Sequence, residues 1–186
     1  VLDRGDRDPV PSVRVTHWSP EGWIDHPTEI VDHGVAPPRP TRVLSGAFVF
    51  APGSWSRDVR QDPGFLYTGE EFALTLRSFT HGFELFQPAR VVVWHRNHPQ
   101  PHRKWISDAD RPAVDQRHQR ATARLRLLLA GDPDGRLGIY SLGRRRTLED
   151  FRRFSGLDCA NRTIHPDAFR GIPPDPVTIP DDADWQ

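Results

Sequence analysis

DPGFLYTGEEFALTLRSFTHGFELFQPARVVVWHRNHPQPHRKW, residues 62–105, sets two adjacent carboxylates at a helix start and a histidine at a strand end. Thr68-Gly69-Glu70-Glu71 reads as a capping box: the Thr68 hydroxyl accepts from the Glu71 amide, and the Glu71 carboxylate reaches back to the Thr68 amide. A helix therefore opens near Gly69, with Glu70 left free of capping duty. Phe72, Leu76 and Phe79 recur at i, i+4 and i+7 as one apolar face, and Gly82 is placed to stop the helix in the left-handed conformation. The run Arg90-Val91-Val92-Val93-Trp94 is β-branched and aromatic and predicts one buried strand, with Pro88 just before it, where a missing N–H does little harm. His95 follows at the strand's end. Strand ends beside helix starts are where α/β sheets present functional side chains.

Outward from this stretch, Val43–Ala51 (VLSGAFVFA) predicts a second buried strand, with Gly46 marking a close backbone approach. A second helix is expected from Pro112 to Ala130, with Val114, Ala121, Leu125, Leu128 and Leu129 as its apolar stripe and Gly131 as its stop. A third opens at Thr147, whose hydroxyl caps the turn Leu148-Glu149-Asp150-Phe151, and ends at Gly156. Residues 1–40 are proline-rich and read as extended chain, in which Trp18 and Trp23 either pin a loop to the core or form an acceptor-binding lip. The reading is one α/β domain over residues 1–171 and an extended Pro/Asp-rich tail over 172–186. No repeat and no low-complexity segment interrupts it.

Composition narrows the function. The 186 residues are 36% hydrophobic, enough for a real core, and 25 basic residues balance 25 acidic ones. Zero net charge gives no electrostatic case for nucleic acid or an anionic membrane, and no apolar run approaches the roughly 20 residues of a membrane helix. A single cysteine, Cys159, excludes an internal disulfide and fits either a reducing compartment, with a cytoplasmic location expected, or a fold that needs no staples. The chain contains no methionine and opens at Val1 without a targeting pattern, so we expect a piece of something longer. Lys104 is the only lysine among the basic residues, a bias of coding rather than of function.

Paired acids at a helix start can serve only as a complement to the helix dipole, worth about 0.3–1 kcal/mol. Gly69, the two acids, the aromatic shell of Phe65, Tyr67 and Phe72, and a histidine one helix and one strand downstream together raise the functional reading. His95 alone cannot hold a divalent ion. His98 and His102 follow it in WHRNHPQPH, but Pro99 and Pro101 break any helical face, which leaves a zinc hydrolase as the weakest of the alternatives. Arg144-Arg145-Arg146 precede the positive end of the Thr147 helix and call for an offsetting anion unless they are solvated. Cys159 has no base beside it in sequence and reads as a buried thiol.

Gly69-Glu70-Glu71, Leu76-Arg77-Ser78-Phe79-Thr80-His81-Gly82, Pro88 and Val93-Trp94-His95 together resemble the glycosyltransferases of the GlcNAc-transferase type, which include the polypeptide N-acetylglucosaminyltransferases that modify hydroxyproline on a cytosolic protein. Leu44-Ser45-Gly46-Ala47-Phe48-Val49-Phe50 resembles the family's strand before the acceptor region. Gly138-Ile139-Tyr140-Ser141-Leu142-Gly143 and Arg146-Thr147-Leu148-Glu149-Asp150-Phe151 through Phe154-Ser155-Gly156-Leu157-Asp158 resemble its C-terminal signature. The resemblance covers roughly residues 43–162. It implies a GT-A fold, a Rossmann-like mixed sheet flanked by helices, of which this chain would be the acceptor-side, C-terminal part.

The same resemblance implies a nucleotide-sugar donor, UDP-N-acetylglucosamine, a hydroxyl acceptor on a protein or glycan, retention of anomeric configuration, and a divalent cation, commonly manganese. His95 matches the family's metal-binding histidine. Glu70 or Glu71 would bind the incoming hydroxyl or the donor sugar; Arg77, His81, Trp94 and Trp105 are further substrate-binding candidates, with holding an acid within the core as the other reading of Arg77 and packing as that of Trp94. The family's Asp-x-Asp motif has no counterpart here beyond Asp6-Arg7-Asp8, which lacks a preceding strand. A missing N-terminal segment or partner chain would then complete the donor and metal sites, and the isolated chain is expected to be weak or inactive. The alternative is a noncatalytic module that holds a glycan or peptide between the aromatic lips at Trp18, Trp23 and Trp55.

Overall fold

The computed structural model describes residues 10–31, 37–46, 48–65, 69–93 and 111–175. Its strands are β1 (Val10–Val13), β2 (His17–Trp18), β3 (Ile24–Asp25), β4 (Thr28–Val31), β5 (Arg39–Pro40), β6 (Phe86–Gln87), β7 (Leu157–Asp158) and β8 (Thr163–Ile164). Its helices are α1 (Gly53–Asp58), α2 (Glu70–Thr80), α3 (Arg111–Leu129), α4 (Leu148–Ser155) and α5 (Pro166–Phe169). The strands pair as four separate antiparallel ladders, β1 with β4, β2 with β3, β5 with β6 and β7 with β8. The chain is mixed α/β, and among the described residues these ladders do not join into one sheet.

Both long strands expected from β-propensity are absent from the described residues. Segment 48–52 is irregular, and Phe48, Val49 and Phe50 are exposed, Phe50 by 91%. Residues 90–93 are likewise irregular, with Val92 and Val93 exposed; Trp94 and His95 lie outside the described residues. A β-branched run is only a fit to a pleated, half-buried surface, and without a neighbouring strand to pair with it stays irregular.

The three expected helices form, because their signals are local. In α2, Phe72, Leu76 and Phe79 are buried as the spacing predicts. Its N-cap is Gly69, left-handed at φ 69°. Thr68, and with it the expected capping box, lies outside the described residues; the Glu71 carboxylate meets His26 and the Gly46 amide. Glu70 does not cap the helix and accepts a hydrogen bond from Gln61 Nε2 instead. At the far end, Gly82 is left-handed; its N–H donates to the Phe79 carbonyl at 2.9 Å and that of Phe83 to Ser78 at 3.1 Å, the paired closure of a Schellman motif. Ala121, Leu125 and Leu128 bury the stripe of α3, and Gly131 stops it at φ 78°. Thr147 caps α4 in a full capping box with Asp150, and Gly156 ends it at φ 68°.

These helices converge on an aromatic core. Phe151 on α4 is fully buried and meets Phe72 and Phe79 edge-on at 6.2 and 5.4 Å, while Phe154 stacks on Phe79 at 5.1 Å. Trp18 pins the N-terminal strands to this core: its ring packs edge-on to Phe72 at 5.6 Å and its Nε1 donates to the Thr163 carbonyl. Trp55 likewise donates to Ser78 Oγ at 2.9 Å. Residues 172–175, read as the start of a loose tail, are docked instead, with the Ile172 amide on the Asp167 carbonyl and Pro174 buried. The rest of that tail lies outside the described residues.

The loop after the 3-10 turn Gly138–Tyr140 is clamped to the C-terminus of α2. Thr80 Oγ1 accepts from Gly143, and the Thr80 carbonyl accepts from both Arg145 and Arg146. A Cβ on Gly143 would stand 2.4 Å from the His81 nitrogen and the Thr80 carbonyl atoms. Arg146 then lies over the Phe79 ring at 4.7 Å and pairs with Glu84, so at least one of the three consecutive arginines holds the fold together.

Candidate functional site

Glu71 stands one residue into α2, at the wall of an open cleft of about 340 Å³ lined also by Trp23, Asp25, His26, Gly69 and Phe72. The β2–β3 hairpin supplies Trp23 and Asp25 and brings His26 with it, while α2 supplies the acid and Phe72. Opposite the hairpin, Thr75 Oγ1 accepts from the Leu44 amide and Glu71 Oε1 from the Gly46 amide. A Cβ on Gly46 would lie 3.1 Å from Glu71 Oε1, so the close approach expected at Gly46 is real although its strand is not.

His26 Nε2 lies 2.8 Å from Glu71 Oε2, and His26 Nδ1 lies 2.9 Å from the Ile24 carbonyl oxygen. Both ring nitrogens thus face oxygens, an arrangement that the doubly protonated imidazolium beside an ionised Glu71 satisfies. Burial pulls the His26 pKa down, but the hydrogen bonds to Glu71 and Ile24 and the charges of Glu71 and Asp25 leave it above its ordinary value of 6.5. The hydrogen bond from His26, aided by the Gly46 amide and the imidazolium charge, holds Glu71 below its ordinary value against the opposing effect of burial. The cleft therefore presents an ionised carboxylate whose orientation is fixed from two sides and whose charge is balanced by a proton on His26.

The pair fixes a pH signature. His26, raised in the folded state, contributes stability that is complete below its unfolded value near 6.5 and lost as pH rises through the folded value. Glu71, depressed, contributes stability present above its unfolded value near 4.5 and lost as pH falls through the folded value. Thermal melts should accordingly show a contribution greatest between these limits that His26→Ala removes. Parallel curves for wild type and variant from pH 5 to 9 would contradict the pairing.

Of the polar site candidates read from the sequence, Glu71 is the one among the described residues that lines this cleft, beside Gly69, Phe72 and Trp23. Glu70 points about 100° around the helix, toward Gln61. Arg77, two turns on, shares that face and is almost wholly buried: Nη1 donates to the Arg60 carbonyl at 2.5 Å, Nη2 to Ile139, and the guanidinium lies 5.7 Å from the Tyr140 ring centre. Arg77 Nε is buried without a partner among the described residues. The other side of this cluster is Arg124, paired with Asp62 at 2.7 Å and also 5.7 Å from Tyr140. His81 hydrogen-bonds the Arg77 carbonyl at 2.7 Å through Nδ1, at the end of its own helix. His95, Trp94 and Trp105, with His98 and His102, lie outside the described residues. Cys159 is a half-buried thiol whose pKa burial and the Asp158 charge push up to about 12, so it is no nucleophile.

His26 is what the sequence reading missed. It lies 45 residues before Glu71, and nothing in Asp25-His26-Pro27 marks it off from an ordinary loop histidine. Trp23, one of the two readings of which was an acceptor-binding lip, does line the cleft. Among the described residues no three His, Cys, Asp or Glu side chains converge as a metal site, and the two groups at the cleft satisfy each other. They do not by themselves fit a divalent cation.

No helix among the described residues is long and apolar enough to cross a membrane. Comparison with curated proteins and with solved structures gives no match. The family model described as Glycosyltransferase (GlcNAc) matches residues 6–161. That match takes in the β2–β3 hairpin and the whole cleft, and it begins well upstream of the residues that carried the resemblance. The chain belongs to the glycosyltransferase (GlcNAc) family.

Proposed function

We propose that this chain carries the acceptor side of a glycosyltransferase that moves N-acetylglucosamine from a nucleotide-sugar donor to a hydroxyl group, with Glu71 as the residue that binds the hydroxyl or the sugar. The family match across residues 6–161 carries the reading. The cleft supports it chemically: an ionised carboxylate accepts a hydrogen bond from a sugar or acceptor hydroxyl, and the Trp23 ring beside it offers an apolar face for a pyranose. His26 keeps the carboxylate ionised and aimed, and the Gly46 amide fixes its second oxygen. Glu70 is the lesser candidate, because its carboxylate is held by Gln61 away from the cleft.

The proposal retains UDP-N-acetylglucosamine as donor, a GT-A arrangement and a divalent cation, manganese by resemblance, with His95 as one ligand and an upstream segment or partner chain as the source of the others. When bound, the cation would offset charge on the departing diphosphate; the residues described here act on the acceptor side. Calorimetric titration of UDP-N-acetylglucosamine with manganese tests it, using this chain, His95→Ala, and a version extended upstream of Val1. Binding that appears in the extended version and weakens in His95→Ala supports the assignment. Absence of binding by all three proteins would overturn the donor.

A further inference from the structure

On the flank of the domain where β1, β5 and β6 meet α5 there is a second cavity, of about 260 Å³, and its chemistry is unlike that of the Glu71 cleft. Arg14, Arg39, Arg42 and Arg170 all line it, with the polar side chains of Ser12 and Gln87, and among the described residues its lining includes no aspartate or glutamate. Three of the four guanidiniums are fixed by the fold. Arg42 donates through Nε to the Ser155 carbonyl at 2.6 Å and through Nη1 to Ile172. Arg14 donates to the Phe169 carbonyl at 3.1 Å and lies over that ring at 5.5 Å, and Arg170 is held by Asp167 at 2.5 Å. Arg39 enters from β5, in register with Gln87.

Arg14, Arg39, Arg42 and Arg170 bring positive charge together from segments far apart in sequence, and Asp167, paired with Arg170, offsets part of it. Burial already lowers the Arg42 pKa to about 10, despite the favourable charge of Asp167. Guanidinium forks match the oxygens of a phosphate, and several together offset more than one negative charge. The volume is below the roughly 300–1,000 Å³ of pockets that enclose whole drug-sized ligands, so a phosphate or diphosphate group suits it better than an entire nucleotide sugar.

We propose that the cavity formed by Arg14, Arg39, Arg42 and Arg170 is an anion site for a phosphate or diphosphate group, distinct from the Glu71 cleft. Its ligand is either a free anion or the phosphate end of a larger molecule held outside the cavity. The site stands whether or not the Glu71 reading does, since it uses none of the same residues.

Titration of the full chain with inorganic pyrophosphate at constant ionic strength is the test, beside Arg39→Gln/Arg170→Gln, whose fold is checked by its melting curve, and Glu71→Gln. The expected result is saturable binding that the double arginine variant weakens by about tenfold or more and that Glu71→Gln leaves unchanged. A parallel titration with uridine diphosphate separates the sources: tighter, competing binding identifies a nucleotide, and affinity equal to pyrophosphate identifies a free anion. No saturable binding of pyrophosphate, or binding that the double variant retains, overturns the site.

Discussion

Glu71→Gln is expected to lower kcat/KM for sugar transfer by about 10²-fold or more while leaving the melting temperature within a few degrees of wild type. Glutamine keeps an oxygen for the Gly46 amide, so the loop at Leu44–Gly46 stays docked on α2. What it removes is the negative charge, and with it the reason for His26 to hold its second proton. A neutral acceptor at this position makes a weaker hydrogen bond to a hydroxyl, by roughly half. Glu70→Gln serves as the internal control: its carboxylate faces Gln61, so less than about a threefold change is expected. Transfer rates measured on the protein form that binds donor, for both variants side by side, decide the matter. Equal losses at the two positions, or none at Glu71, would remove Glu71 from the site.

Phe151→Ala carries the largest expected loss of stability, about 3–5 kcal/mol. The ring is fully buried and is the meeting point of α2 and α4, touching both Phe72 and Phe79 edge-on. Its removal leaves a cavity that neither helix can close, because α4 is fixed at one end by the Thr147–Asp150 capping box and at the other by left-handed Gly156. For a chain of this size the loss corresponds to roughly 6–20 °C in Tm, read by circular dichroism or calorimetry. A shift below about 2 °C would mean that the core is not packed around this ring.

The parts of the fold legible in the sequence are those whose cause is local. The helices at Glu70–Thr80 and Arg111–Leu129 announce themselves by an apolar face at helical spacing and a stop glycine, and Leu148–Ser155 by the Thr147 cap and its stop glycine. The strands are not legible in the same way, because pairing is not local. Val-rich 90–93 has the composition of a strand and pairs with none among the described residues, whereas Arg39–Pro40 has little strand character and pairs with Phe86–Gln87. The site divides along the same line. Glu71 is visible as an acid at a helix start; His26, its partner, is set by how a two-residue hairpin docks, which no spacing within the chain encodes. Arg77, for which the sequence offers a substrate-binding or a core role, takes the core role, because the face it shares with Glu70 turns toward Arg60 and Tyr140 rather than toward the cleft.

The clamp at the end of α2 has a bearing on how this family can diverge. At Gly143 the backbone lies so close to Thr80 and His81 that a single added carbon meets main-chain atoms, which cannot swing aside as a side chain can. Substitutions on the far side of that contact, at Thr80, would cost hydrogen bonds that Gly143, Arg145 and Arg146 donate. Positions 80 and 143 therefore form one unit of inheritance: a relative with any other residue at 143 must carry this loop along a different path, and a change at 80 should travel with one at 143. An alignment of relatives would read that linkage directly, as a column that is glycine wherever its partner is threonine.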